Sequence, residues 1–68
     1  MKKENQYLPI NQKSLLTIPE AAEYSNIGQN KLSEMLKNPR CTFVLYVGKK
    51  KLIKRIPFEE YLMKSVEI

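Results

Sequence analysis

The sequence predicts an α+β domain of the winged helix-turn-helix type, with a two-stranded wing and a closing C-terminal helix. Two short helical segments joined by a turn that contains glycine are predicted within residues 17–37. Two β-rich stretches separated by a second glycine turn follow within residues 42–56. A last amphipathic segment begins at Pro57. We expect residues 1–13 to form an irregular N-terminal arm and residues 14–68 to form the domain.

The first helix has a clear start in the sequence. Residues 14–18, SLLTI, predict a short extended segment that ends at Thr17. Thr17 and Glu20 have the spacing of a capping box, in which each side chain accepts a hydrogen bond from the other residue's backbone N–H. Pro19 fits the first turn, where its missing N–H costs nothing. The predicted inner face of this helix consists of Ile18, Ala21, Ala22 and Ser25.

The second helix follows a break at residues 25–28, SNIG, and is predicted to begin near residue 28 or 29. Apolar residues at spacings of three and four predict one buried face, formed by Leu32, Met35 and Leu36. At about 100° per residue, the opposite face carries polar residues. These are Asn30, Ser33, Glu34 and Lys37. An Asn-Pro pair at residues 38 and 39 ends the helix.

The wing and the closing helix complete the predicted fold. Residues 42–47, TFVLYV, and 50–56, KKLIKRI, predict the two strands of a hairpin, and Gly48-Lys49 predicts a two-residue turn. Alternation in the return strand is imperfect, because Leu52 and Ile53 must point to opposite faces. We expect Tyr46 to pack on the sheet. The closing helix, residues 57–66, has predicted apolar contacts at Phe58, Tyr61, Leu62 and Val66.

Composition argues against several classes of function. The chain has 68 residues, no histidine and one cysteine, which excludes an internal disulfide and a structural zinc site. Its carboxylates are scattered and its two glycines lie twenty residues apart, so we expect neither catalysis nor a cofactor. The longest apolar run, FVLYV, is too short to span a membrane, and the N-terminus is polar. We expect a cytoplasmic protein.

Charge is unevenly distributed along the chain. Residues 1–28 carry three lysines against three glutamates, whereas residues 29–55 carry eight lysines and arginines against Glu34 alone. Residues 56–68 carry Lys64 against three glutamates. A strongly basic middle segment between a neutral and an acidic segment predicts a directed basic face, which is typical of a polyanion-binding protein.

Two groups of residues are the candidate DNA contacts. The second helix of a helix-turn-helix enters the major groove, where amides suit adenine edges and lysines suit guanine or phosphate. Its candidates are Gln29, Asn30, Lys31, Ser33, Glu34 and Lys37. The wing carries more cations than protection of an edge strand requires, and these suit phosphates. Its candidates are Lys49, Lys50, Lys51, Lys54 and Arg55, to which Arg40 is added from the preceding loop.

Residues 16–32, LTIPEAAEYSNIGQNKL, resemble the helix-turn-helix of the small bacterial excisionases, which are recombination directionality factors. The shared features are the Leu-Thr start, the Glu-Ala-Ala core and the hydrophobic-Gly break. The later pattern Arg55, Phe58, Tyr61, Leu62 also resembles that family. The IGxNKL turn, Ile27 to Leu32, and the chain length are similar to those of excisionases of conjugative transposons. The resemblance covers residues 15–66. It departs from the family at Ser33 and Glu34, where relatives often carry arginines.

The resemblance implies a DNA-binding accessory factor without catalytic activity. Such proteins bind the ends of a mobile element, bend the double-stranded DNA and bias a tyrosine integrase toward excision. The resemblance also implies that the second helix lies in the major groove and the wing in the adjacent minor groove. Bending a site costs about 1–6 kcal/mol. We therefore expect a monomer in solution that binds cooperatively beside neighbouring copies of itself.

The same sequence features also fit three other functions. A winged-helix transcriptional repressor would have the same domain. A small basic RNA-binding protein would carry exposed aromatic residues among its basic ones. An adaptor that binds only the integrase would be insensitive to charge reversal at the wing lysines. The acidic C-terminal segment is the expected surface for a neighbouring copy or the integrase, with Glu60, Lys64 and Glu67 as its candidate residues.

Overall fold

A computed structural model describes residues 8–68 of the chain. A single 3-10 turn, Ile10–Gln12, precedes the first strand. The remaining elements follow the predicted order of strand, two helices, hairpin and helix. They are β1 (Leu15–Leu16), α1 (Ile18–Ser25), α2 (Gln29–Lys37), β2 (Val44–Val47), β3 (Lys50–Lys54) and α3 (Arg55–Lys64). The predicted α+β winged helix-turn-helix is confirmed.

The core forms between one face of the sheet and the three helices. Each strand and each helix contributes to it, although β2 does so only through the half-buried Val44. The fully buried side chains are Leu16, Ala21, Leu32, Leu36, Phe43, Ile53 and Phe58. The Phe43 ring centroid lies 5.2 Å from that of Phe58 and 5.3 Å from that of Tyr61, so aromatic packing joins the loop before the wing to α3.

The start of α1 is the predicted capping box. The Glu20 carboxylate accepts from the Thr17 N–H at 3.0 Å, and the Thr17 hydroxyl accepts from the Glu20 N–H at 3.2 Å. The helix ends at Asn26, which adopts the left-handed conformation at φ 63° that asparagine tolerates better than most residues. Its N–H donates to the Ala22 carbonyl at 2.8 Å, and Gly28 then starts α2. This turn joins the two helices of the motif and changes the direction of the chain between them.

The sheet has three antiparallel strands in the order β1-β3-β2. Leu16 is the partner of Ile53 in β3, while Val44 is the partner of Ile53 on the other side. Gly48 has φ 61° and Lys49 does not share this positive value, which is the pattern of a type II′ turn. The short strand that the sequence predicts before α1 therefore extends the two-stranded wing at its base.

Four predicted boundaries are wrong by two residues. The first wing strand begins at Val44 rather than at residue 42, although the Phe43 carbonyl still accepts from the Lys54 N–H at 2.7 Å. The return strand ends at Lys54, and α3 begins at Arg55 instead of Pro57. Pro57 is the third helical residue. A backbone N–H in this first turn has no acceptor within the helix, so proline, which lacks the N–H, costs no hydrogen bond there. Because α3 ends at Lys64, Val66 is fully exposed and not a core contact.

Part of the predicted N-terminal arm, residues 1–7, lies outside the described residues. Within residues 8–13, Ile10 packs against the core and the Lys13 ammonium pairs with Glu20. The boundary between arm and domain at residues 13 and 14 stays a prediction. Across residues 8–68, no helix has the length and apolar character needed to cross a membrane.

Candidate nucleic-acid interface

Helix α2 presents a polar face to solvent because its apolar residues anchor it to the core. Leu32 and Leu36 are fully buried, which directs the opposite side outward. Of the six candidates on this helix, Ser33 is half-buried and the others are exposed. Gly28 at its start offers no side-chain cap, so the first-turn N–H groups remain free for a phosphate. The helix can therefore offer amides, a hydroxyl and two ammonium groups to one ligand.

The wing carries its cations on both faces. Cross-strand partners share a face, and Ile53 is buried, so Val44, Tyr46 and Lys51 face the helices. Val47 and Lys50 point to the opposite side. Lys49 and Lys50 are exposed, whereas Lys51 and Lys54 are half-buried. The tip thus extends beyond the helices, which cover only the base of the wing.

Tyr46 was predicted to pack on the sheet, but it is largely exposed. Its side chain is 61% exposed, and that of Val47 is 48% exposed. The prediction was wrong because strand alternation places Tyr46 on the core face, but two cross-strand pairs nearer the turn than the last buried residue, Ile53. Its position two residues before the glycine turn is the sequence signal that could have shown this.

Arg55 is not part of the wing. It is the first residue of α3, and its side chain is 18% exposed. Its Nε donates to the Lys13 carbonyl at 2.7 Å, and its Nη1 donates to Glu59 Oε2 at 3.1 Å. Its backbone N–H donates to the Ser14 carbonyl at 3.0 Å. Arg55 thus joins the segment before β1 to the closing helix, and its guanidinium is already occupied in the folded chain.

Glu59 extends this network to α1. The Tyr24 hydroxyl donates to the Glu59 carboxylate, which also accepts from Arg55. The hydrogen bonds from Tyr24 and Arg55 lower the pKa of Glu59 below its usual value, and the hydrogen bond to Glu59 raises the pKa of Tyr24. At neutral pH the carboxylate is ionised and the phenol is neutral, which is the arrangement that the hydrogen bonds require.

The basic segment keeps its charge unpaired. Of its eight lysines and arginines, only Arg55 forms an ion pair with any carboxylate of residues 8–68. Arg40 is exposed in the loop after α2, where its backbone N–H donates to the Asn38 side chain at 2.9 Å. Seven cations from α2, this loop and the wing are therefore free to neutralise an anionic ligand.

The acidic end presents a different surface. Glu60, Lys64 and Glu67 are all exposed. Ile56 and Met63 lie on the same side of α3 as Glu60 and are 57% and 83% exposed. This side of α3 faces away from Phe58 and the core. No group of histidine, cysteine, aspartate or glutamate residues within residues 8–68 could hold a metal ion.

The comparisons with known proteins agree with this architecture. No curated protein and no solved structure gives a significant match to the chain. A family model described as the excisionase from transposon Tn916 matches residues 1–67, and so includes the helix-turn-helix, the wing and the closing helix. Since that match spans nearly the whole chain, the protein belongs to the excisionase family of transposon Tn916.

Proposed function

We propose that this protein is a DNA-binding recombination directionality factor that binds and bends the end DNA of a mobile element and directs a tyrosine integrase toward excision. The observation that carries the proposal is the combination of two exposed groups in one chain of the excisionase family. These are the polar face of α2 and the unpaired lysines of the wing. A non-catalytic role follows, since the chain acts by binding and shaping DNA.

Duplex DNA would contact the two groups in different ways. The α2 face enters the major groove, where Gln29 and Asn30 suit adenine edges and Ser33 suits several bases. Glu34 repels phosphate, but it can accept from a cytosine amine. The wing lies in the adjacent minor groove, with its lysines on the phosphates of both strands. Base choice then comes from α2, and much of the affinity comes from the wing and Arg40.

The number of free cations sets the expected salt dependence. Arg55 is removed from the predicted phosphate contacts, because its guanidinium binds Glu59 and the Lys13 carbonyl. If about four to six of the seven remaining cations neutralise phosphates, the logarithm of the affinity falls against the logarithm of salt concentration with a slope of about −4 to −5.

Bending requires several copies of so small a protein. Bending a site costs about 1–6 kcal/mol, which adjacent copies on repeated sites would share. We propose a monomer in solution that binds cooperatively, with the C-terminal surface of Glu60, Lys64 and Glu67 contacting a neighbouring copy or the integrase. The exposed Ile56 and Met63 lie beside Glu60 on α3. An apolar pair beside acidic residues suits a partner surface, and its charge repels DNA.

The test compares Lys37→Gln with Lys64→Gln. Both lysines are exposed and lie in the last turn of a helix, so each substitution removes the same favourable interaction with the helix dipole. On a short duplex that holds one protomer, Lys37→Gln should weaken binding and reduce the salt slope by about 0.9, whereas Lys64→Gln should do neither. Equal effects would contradict the proposed orientation of α2 on DNA.

A recombination assay tests the second half of the proposal. The mobile element's integrase should excise a substrate carrying both element ends at a higher rate when this protein is added. Footprints on the flanking DNA, with and without integrase, should show several adjacent protected sites. A single isolated footprint without cooperativity, or no effect on excision, would contradict the role of a directionality factor.

A further inference from the structure

The tyrosines of the described chain differ in what they do for the fold. The Tyr24 hydroxyl donates to Glu59, and the Tyr61 ring lies 5.3 Å from that of Phe43. Tyr46 makes no hydrogen bond and no ring–ring contact with any of residues 8–68, and 61% of its side chain is exposed. Its ring is therefore available to a ligand at the tip of the wing.

The sheet register places Tyr46 beside one particular lysine. Tyr46 and Lys51 are directly opposite each other on β2 and β3. In a hairpin with a two-residue turn, the pair next to the turn is hydrogen-bonded and the following pair is not. Tyr46 and Lys51 form that second pair, whose side chains approach most closely. Tyr46 and Lys51 therefore share one face of the wing and form a patch of aromatic and basic side chains there.

This patch lies on the side of the sheet that carries the helices. Val44 and Tyr46 share a face with the buried Ile53, and the core that covers Ile53 includes Leu32 and Leu36 of α2. Val47 and Lys50 lie on the opposite face. A duplex that contacts α2 and the wing together therefore meets the helix-side face of the wing, and not the outer face.

We propose that Tyr46 and Lys51 form a single contact to double-stranded DNA. The ring packs against the deoxyribose and base edges of a groove, and the ammonium group binds the neighbouring phosphate. Val47 and Lys50, on the outer face, contribute much less. This inference rests on the proposed DNA-binding function and deepens it, because it divides the wing cations into a contacting set and a non-contacting set.

The first test is a matched pair, Tyr46→Ser and Val47→Ser. Both residues are exposed strand residues at the tip, so both changes remove a good β-former at similar cost to the wing. Tyr46→Ser should weaken duplex binding by about tenfold, on the scale of aromatic contacts to nucleic acid. Val47→Ser should change it by less than about twofold, and Tyr46→Phe should retain wild-type affinity. Thermal melting confirms that each variant is folded.

The second test is the pair Lys51→Gln and Lys50→Gln. Loss of one phosphate contact lowers the magnitude of the salt slope by about 0.9. We expect that change for Lys51→Gln and none for Lys50→Gln. A larger change for Lys50→Gln than for Lys51→Gln would overturn the assignment of faces.

A tryptophan probe reports the contact directly. The chain has no tryptophan, so Tyr46→Trp and Val47→Trp each introduce one fluorophore. Duplex DNA should quench the emission at position 46 and leave position 47 nearly unchanged. Equal responses at both positions, or a greater response of position 46 to single-stranded RNA than to duplex, would overturn the proposal. If the wild-type chain binds no duplex at all, the proposed function fails; if it binds but all pairs behave alike, only this inference fails.

Discussion

Arg55 belongs to the basic segment of residues 29–55, but it has a structural role and the other cations of that segment are free to bind DNA. Its Nε binds the Lys13 carbonyl at 2.7 Å, and its side chain is 18% exposed. A hydrogen bond from a charged donor contributes about 1.5–3 kcal/mol, and partial solvent exposure favours the lower part of that range. We therefore expect Arg55→Gln to lower the free energy of unfolding by about 2 kcal/mol. For a domain of this size, the melting temperature should fall by about 8–16 °C.

The conservative variant separates the two roles. Lysine keeps the positive charge but lacks the planar fork that bonds the Lys13 carbonyl and Glu59 together. Arg55→Lys should therefore destabilise the fold nearly as much as Arg55→Gln does. The salt slope for DNA binding, measured on the folded protein, should stay at its wild-type value. Circular dichroism melts and fluorescence anisotropy provide the two readouts. If Arg55→Gln melts like wild type and loses about 0.9 from the slope, Arg55 binds DNA and does not stabilise the fold.

Four further variants test the fold. Partial burial alone would raise the pKa of Glu20, but hydrogen bonds from Lys13 and Thr17 outweigh it and hold the pKa below the usual 4.5. Stability from this depressed pKa is present above pH 4.5 and is lost as pH falls through the folded value, so acid titration should bring Glu20→Gln and wild type closer together. Leu36→Ala should cost about 2–5 kcal/mol in a urea titration, since the side chain is fully buried. Gly48→Ala, at φ 61°, should cost about 1–2 kcal/mol, whereas Gly28→Ser, at φ −63°, should change stability by only a few tenths of a kcal/mol.

Local signals predicted most of the fold. The capping box at Thr17 needs only four residues, and the helical spacing of Leu32 and Leu36 needs only one turn, so both were visible in the sequence. The pairing of β1 with β3 depends on residues far apart in the chain, and the sequence pattern alone did not reveal it. The same non-local contacts explain the misplaced Arg55, whose partners include Lys13, 42 residues away.

The sequence predicted which residues are candidate DNA contacts, but not which face of the wing each of them occupies. Lysines at the wing tip were evident from the charge run, whereas their division between two faces depends on the register of Tyr46 with Lys51. The alternation of apolar and polar residues did not determine that register, because the adjacent Leu52 and Ile53 are both apolar. The exposure of Tyr46 depends on where the helices stop covering the sheet, which no local pattern records.

Competition binding separates sequence-specific binding of duplex DNA from general attraction to a polyanion. A labelled duplex from the DNA flanking the encoding gene is held by the wild-type protein at a fixed salt concentration, and three unlabelled competitors are titrated against it. The flanking duplex should compete at least about 10³-fold better than a shuffled duplex, and single-stranded RNA of the same sequence should compete no better than the shuffled duplex. Equal competition by flanking and shuffled duplexes, or preference for the RNA, would contradict sequence-specific binding of duplex DNA by this protein.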